Sequence, residues 1–276
     1  MDLLKQKYKD EKRRLKCDYK ARKKVLKSEY LDARKAWKIA RKDNIAVGDA
    51  ELILKSQCDS QGRLRGMPPR RSLIEEIGNA VSHGIGAVFA VVALALMLYF
   101  SKTTLQRVAA IVYGVGMFIM FLASCLYHSF RYGSTVKRIF RRFDYLSIYL
   151  LIGATFAPLL LCYAPQSFGL AFFTVQWVII VVGITLIAVF GPARLRKIHF
   201  PLYIALGWSG LVLLPIMAIR HDYALLFWIL GGGVLYTIGM IPFAVDKRVS
   251  HFLWHLFVLF GAVVQWVGIF AYIYLR

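Results

Sequence analysis

Ile77-Gly-Asn-Ala-Val-Ser-His83-Gly-Ile-Gly-Ala-Val-Phe-Ala-Val-Val-Ala-Leu-Ala-Leu-Met-Leu-Tyr-Phe100 decides the fold. Residues 77–100 contain no Lys, Arg, Asp or Glu, and the run is long enough to cross the ~30 Å hydrocarbon layer as a helix, which takes about 20 residues. The whole chain agrees with it. Of 276 residues, 58% are hydrophobic and 18% charged, against about 25% charged in a soluble domain. Mean hydropathy is +0.55. A soluble core of this size could not hide so much apolar surface, and the same composition excludes disorder for most of the length.

Six further apolar runs follow, at 107–128, 143–162, 169–190, 199–218, 224–243 and 250–274. The break Arg220-His221-Asp222 separates the fifth span from the sixth. The expected fold is therefore an all-α seven-transmembrane helix bundle. Lys and Arg set its orientation. Alternate connections are basic: residues 1–71, then Arg131, Lys137, Arg138, Arg141 and Arg142, then Arg194, Arg196 and Lys197, then Lys247 and Arg248. The opposite side holds only Lys102, Arg107, Arg220 and Arg276. This asymmetry predicts a multi-pass protein of the cell membrane, inner or plasma, with its N-terminus cytoplasmic and its C-terminus outside. It also requires an odd number of spans. The first apolar run starts too late for a cleaved signal peptide.

Residues 1–71 form a separate basic arm, to be set against a membrane domain over residues 72–276. Leu4-Lys-Gln-Lys-Tyr8, Leu15-Lys-Cys-Asp-Tyr19 and Leu26-Lys-Ser-Glu-Tyr30 recur at eleven-residue steps, and Trp37 takes the next Leu position. Eleven residues in three turns is about 3.67 per turn, so the Leu/Tyr stripe stays on one face of a helix. Two partners suit such a stripe over residues 4–40: anionic lipid headgroups under an amphipathic helix, or another chain in a right-handed coiled coil. A solvated helix without a partner is the third reading. Nucleic acid is not expected, because the basic segment abuts a membrane domain. Gly48, Gly62, Gly66 and Pro68-Pro69 mark a linker reaching to Arg71. Cys17, Cys58, Cys125 and Cys162 are scattered, with neither a disulfide framework nor a cysteine metal site in their spacing.

The polar residues of the spans collect at one end. Given the orientation, Glu76, Asn79, Ser82 and His83 lie early in the first span, Ser124 and His128 late in the second, Asp144 early in the third, and His251 and His255 early in the seventh. All of these positions are cytoplasmic. His251-Phe-Leu-Trp-His255 places two imidazoles on one helix face, where both can reach one ion. Ser124-Cys-Leu-Tyr-His128 puts a hydroxyl on the face of a third. Three neutral imidazoles are the ligand set of a catalytic zinc with one open position, and Asp144 is the natural partner for a water there. Each residue also has a plainer reading: His pairs as core or interfacial residues, Ser124 as a packing residue, Asp144 as an ion-pair partner of Arg141-Arg142, and His83 as an interhelical hydrogen-bonding group. His199 and His221 read as interfacial.

Glu76-x-x-Asn79-x-x-Ser82-His83, Ser124-x-x-x-His128, Phe143-Asp144-Tyr145 and His251-x-x-x-His255, taken in order, resemble the signature set of the haemolysin III family. That family lies within the progestin and adipoQ receptor superfamily, which includes the adiponectin receptors. Ile152-Gly-Ala-Thr155-Phe-Ala-Pro158 is similar to a further family motif, with Phe156 and Ala157 where Tyr and Thr are common in bacterial members. The resemblance covers about residues 72–276 and leaves out the repeat arm. It implies a seven-helix fold, a Zn2+ ion on His128, His251 and His255, and a catalytic water held by Asp144 with Ser124 nearby. It makes Glu76, Asn79, Ser82 and His83 structural residues or supports of the ligands.

Three functions follow as expectations. The first is zinc-dependent hydrolysis of a lipid amide, resembling the ceramidase activity of relatives, with zinc lowering the pKa of a water toward about 7 and Asp144 taking its proton. The second is a non-enzymatic, receptor-like sensor or regulator of membrane lipid state, with zinc joining the second and seventh helices. The third is a haemolysin-type pore former.

Overall fold

The computed structural model describes residues 2–43, 71–132, 134–192, 195–245 and 249–276. The chain divides into two units, Met1–Met67 and Pro68–Arg276. In the first, α1 (Asp2–Asp43) is a continuous helix of 42 residues. Its sequence explains this: neither Gly nor Pro interrupts a run rich in Lys, Arg, Leu and Ala, all good helix formers. Tyr8, Leu15 and Tyr19 of the eleven-residue stripe are exposed. Lys12 and Lys23, one turn on, lie over the Tyr8 and Tyr19 rings at 5.8 and 5.9 Å. The expected Gly- and Pro-marked linker falls on residues 44–70, outside the described residues.

The second unit holds seven helices long and apolar enough to span a membrane: α2 (Leu73–Phe100), α3 (Thr104–Ser129), α4 (Thr135–Tyr163), α5 (Gln166–Phe190), α6 (Arg196–Ile219), α7 (Tyr223–Val245) and α8 (Ser250–Tyr274). Every span expected from hydropathy lies inside one of them. Among the described residues there is no strand. The largest difference is at α4, which begins eight residues before the apolar run. Ser134 caps it, its hydroxyl accepting from the Lys137 amide at 3.1 Å, and the first two turns carry Lys137, Arg138, Arg141 and Arg142. Hydropathy hides such a segment, but a capped amphipathic helix accommodates it. Caps also fix the starts of α2 and α3. Ser72 accepts from the Glu75 amide at 3.2 Å, and Thr103 with Gln106 forms a capping box.

Helix contacts rest on small residues, as membrane packing requires. Gly116 of α3 leaves room for Ala154 of α4, and Gly86 of α2 seats the Phe121 ring of α3, which stands 2.5 Å from where a Cβ would be. The turn between α6 and α7 is tied to its neighbours by Asp222, which accepts from the Tyr163 hydroxyl at 2.8 Å and the Arg276 guanidinium at 2.6 Å. His221, read from sequence as interfacial, is exposed at this turn with φ 56°.

Not all of the bundle is filled. An apolar cavity of about 140 Å³ lies among α3, α4, α6, α7 and α8. Gly207 of α6 and Gly233 of α7 both line it, and a Cβ at either would meet nothing within 4 Å. Both glycines have open space beside the backbone, and next to them the Trp208 indole donates to the Thr237 hydroxyl at 3.1 Å across the α6–α7 seam. The α6 helix also tightens here into a 3-10 segment at Ser209–Leu213.

Candidate metal centre

The α2 helix supplies one face of the site. Glu76, Asn79 and His83 recur at three- and four-residue steps and so point the same way. Glu76 sits in the first turn, where the helix N-terminus favours an acid. Its two carboxylate oxygens divide their work. Oε2 lies 2.6 Å from His128 Nδ1, and Oε1 accepts from Lys137 Nζ at 2.9 Å. Lys137 also donates to the Phe130 carbonyl at 3.1 Å and lies over the Tyr127 ring at 4.8 Å. Its side chain is only 1% exposed, so Glu76 is the counter-charge that lets it stay buried.

Glu76 also sets the state of His128. A carboxylate accepts, so His128 Nδ1 donates and Nε2 keeps its lone pair. That Nε2 is buried and has no protein partner. The Asn79 amide nitrogen lies 3.3 Å from the same Nδ1. This is the arrangement by which proteins orient a metal-binding imidazole: a carboxylate on one nitrogen, the other left bare.

His251 and His255 come from the first two turns of α8, which starts after Val249 in the left-handed region at φ 70°. Their rings stand 4.8 Å apart, and 5.2 and 4.7 Å from His128. His251 Nε2 and His255 Nδ1 are likewise buried without a protein partner. The ligand nitrogens of the three histidines all lie within 4.8 Å of one another. Tetrahedral zinc with Zn–N of about 2.0–2.1 Å would need about 3.3 Å between nitrogens, a closure that side-chain torsions can supply. Among the described residues, this group is made of the three histidines alone. Bare nitrogens, burial and convergence all fit a metal ion.

Of the remaining sequence-derived residues, His83 packs on the triad. His83 stacks on His255 at 3.8 Å and donates from Nε2 to the His255 carbonyl at 3.3 Å, fixing the helix turn that carries the ligand. Ser82 donates to the Asn79 carbonyl at 3.0 Å, a bond within α2. Asp144 is partly exposed, and the Ser124 hydroxyl lies near its carboxylate. Sequence reading missed Lys137 and Arg71. It counted Lys137 as a topological charge and Arg71 as the end of a linker. Arg71 pairs with Glu75 at 3.0 Å, close enough to the triad for its charge to act on His251 and His255. No local signal marks Lys137, because its partner Glu76 lies 61 residues away in the chain. His199, read as interfacial, is instead 1% exposed, with the Tyr149 hydroxyl 2.9 Å from its Nδ1. That bond is what makes its burial tolerable.

The triad and the cavity share helix faces. On α3, Ser124 is followed one turn inward by Met120. On α4, Asp144 leads to Ile148, Leu151 and Thr155, and on α8, His255 leads to Val258 and Gln265. All of these inward residues line the cavity. Phe243 and Trp254 lie where the two meet, the Phe243 ring 5.6 Å from His251.

Comparison with known proteins identifies the family of the membrane unit. Residues 71–266 match the family model described as haemolysin-III related. "Hemolysin-3" of Bacillus cereus is 36% identical over 211 residues, covering 72% of this chain and 92% of the relative. "Hemolysin-3 homolog" of Bacillus subtilis (strain 168) is 32% identical, covering 72% and 94%. "Monocyte to macrophage differentiation factor" of Homo sapiens is 26% identical over 208 residues, covering 72% and 85%. The matched region, residues 71–266, holds six of the spanning helices, most of α8 and the triad, and leaves out α1. The chain is a multi-pass membrane protein that belongs to the haemolysin-III-related family of the progestin and adipoQ receptor superfamily.

Proposed function

We propose that the chain is a zinc-dependent hydrolase of a lipid amide, with its site near the cytoplasmic face of the cell membrane. The observation that carries this is a three-histidine ligand group, without a carboxylate among the described residues, beside an apolar cavity that Phe243 and Trp254 border. Three protein ligands leave a position open, whereas a structural zinc site is closed by four. His128, His251 and His255 would hold the ion. Zinc, when bound, supplies a Lewis acid that polarises a carbonyl and makes water more acidic.

The chain's own residues do the rest. The cavity takes the acyl chain, which excludes water from everything but the head of the lipid. Asp144 accepts a proton from the attacking water and returns it to the leaving amine nitrogen. Ser124 donates to Asp144 and holds the carboxylate in one orientation. Glu76 and Lys137 hold His128 in place without touching substrate. The open space beside Gly207 and Gly233 gives a lipid a sideways route between α6 and α7.

The reading of a regulator without catalysis shares the same metal, and the lytic reading rests on the names of the Bacillus relatives. One experiment separates them. Metal content and lipid-amide hydrolysis are measured on detergent-purified protein, alongside Asp144→Asn and the His251→Ala/His255→Ala pair. One zinc per chain, lost in the histidine pair, with hydrolysis lost in Asp144→Asn at full zinc content, supports the hydrolase. Zinc without hydrolysis of any lipid amide by the wild type leaves the regulator.

A further inference from the structure

A second polar cluster lies on the cavity, away from the histidines. Tyr236 of α7 lies against Gly261 of α8, where a Cβ would stand 3.0 Å from its ring. The missing side chain lets the ring lie against α8, and its hydroxyl is buried with no protein partner. Tyr113 of α3 is fully buried. Its hydroxyl faces Thr155 and neighbours Tyr236, and it too has no partner in hydrogen-bonding geometry. Thr155 donates its own proton to the Leu151 carbonyl at 2.8 Å and keeps its lone pairs as acceptors. Thr155 and Tyr236 line the cavity, as does Gln265. Buried hydroxyls normally have partners, and an apolar pocket meant only for methylene groups gains nothing from carrying them.

The depth of the cluster is set by helix rise. Gly261 lies six residues beyond His255, and Thr155 eleven beyond Asp144. At 1.5 Å per residue this is roughly 9–16 Å past the metal centre, the reach of about seven to twelve methylene groups of an extended chain.

We infer that the cavity is built for an acyl chain carrying a hydroxyl group near its middle, which accepts from Tyr236 and donates to Thr155. The inference rests on the proposed placement of the acyl chain and narrows it: the substrate is the amide of a mid-chain hydroxy fatty acid. A plain chain fills the same space but leaves the hydroxyls bare.

The test is competition, on the purified full-length chain in detergent, against bound radiolabelled octadecanoic acid. The competitors are octadecanoic acid and its 10-hydroxy and 12-hydroxy derivatives. One hydroxy acid is expected to compete about tenfold better than the plain acid, the size of one well-placed buried hydrogen bond. Tyr236→Phe should abolish that advantage, read as the competition of the hydroxy acid relative to octadecanoic acid in the same variant, with Thr155→Val as the second variant. Equal competition by all three acids would overturn the inference alone, ordered water then serving the hydroxyls. An advantage that survives in both variants would also overturn it. Failure to retain octadecanoic acid at all would overturn both the inference and the placement of the acyl chain in the cavity.

Discussion

Replacing Glu76 by Gln tests how the triad is supported. The substitution keeps the size of the side chain and an oxygen able to accept from His128 Nδ1, but removes the charge shared with Lys137. At 2.9 Å, two unit charges in an effective dielectric near 20 attract by roughly 5–6 kcal/mol before desolvation is counted. Solvent screens little of this, because the Lys137 side chain is 1% exposed and that of Glu76 13%. Breaking one side of a buried pair costs about 3–5 kcal/mol, most of it from the stranded partner. Weakening the carboxylate behind a metal-binding imidazole costs about 10- to 100-fold in affinity. Glu76→Gln is therefore expected to lower thermal stability in detergent markedly and to weaken zinc binding by that factor in a chelator competition. Adding Lys137→Met should restore much of the stability but not the zinc affinity. A single variant with wild-type melting and zinc affinity within twofold would refute the reasoning, since Glu76 would then neither balance Lys137 nor orient His128.

Gly207→Phe places a ring where nothing lies within 4 Å of the Cβ; hydrolysis of a lipid amide should slow tenfold or more with zinc content unchanged, and an unaltered rate would exclude this seam as the route in. Burial pushes the Asp222 carboxyl up, but the hydrogen bonds from Tyr163 and Arg276 and the charges of Arg276 and Arg220 outweigh it and hold the group below the usual carboxylate range. Its contribution is thus complete above the unfolded value near 4 and lost as pH falls through the lower folded value. Asp222→Asn should flatten that acid limb by no more than about 1 kcal/mol, since Arg276 is largely exposed; an acid limb identical to wild type would remove the clamp from the stability of the fold. Deleting residues 1–60 should leave zinc content unchanged, and a zinc-free truncation would show that the triad depends on the arm.

The seven spans were legible because apolar length is a local property: each run declares itself. The start of α4 was not, because Lys137 to Arg142 look like loop charges until the Ser134 cap and the buried partner of Lys137 are known. The HxxxH pair was legible for the same local reason, being one helix face. Its union with His128 was an inference from shared depth, and the ring contacts now bring the three together. What the sequence does not disclose are pairings between distant segments, such as Glu76 with Lys137, Tyr149 with His199, and Tyr236 against Gly261. The cavity belongs to that class, since it is made by what five helices leave unfilled.

The proposed lateral route past Gly207 and Gly233 also bears on how the rate should be counted. A ligand arriving through it diffuses in two dimensions and never dissolves in water. The quantity that governs encounter is then its mole fraction in the leaflet or micelle, not its amount per volume of solution. Diluting substrate with inert detergent should lower the rate, whereas adding more mixed micelles of fixed composition, once all the protein is embedded, should not change it. Affinities quoted in molar units for such a protein would describe the detergent as much as the site.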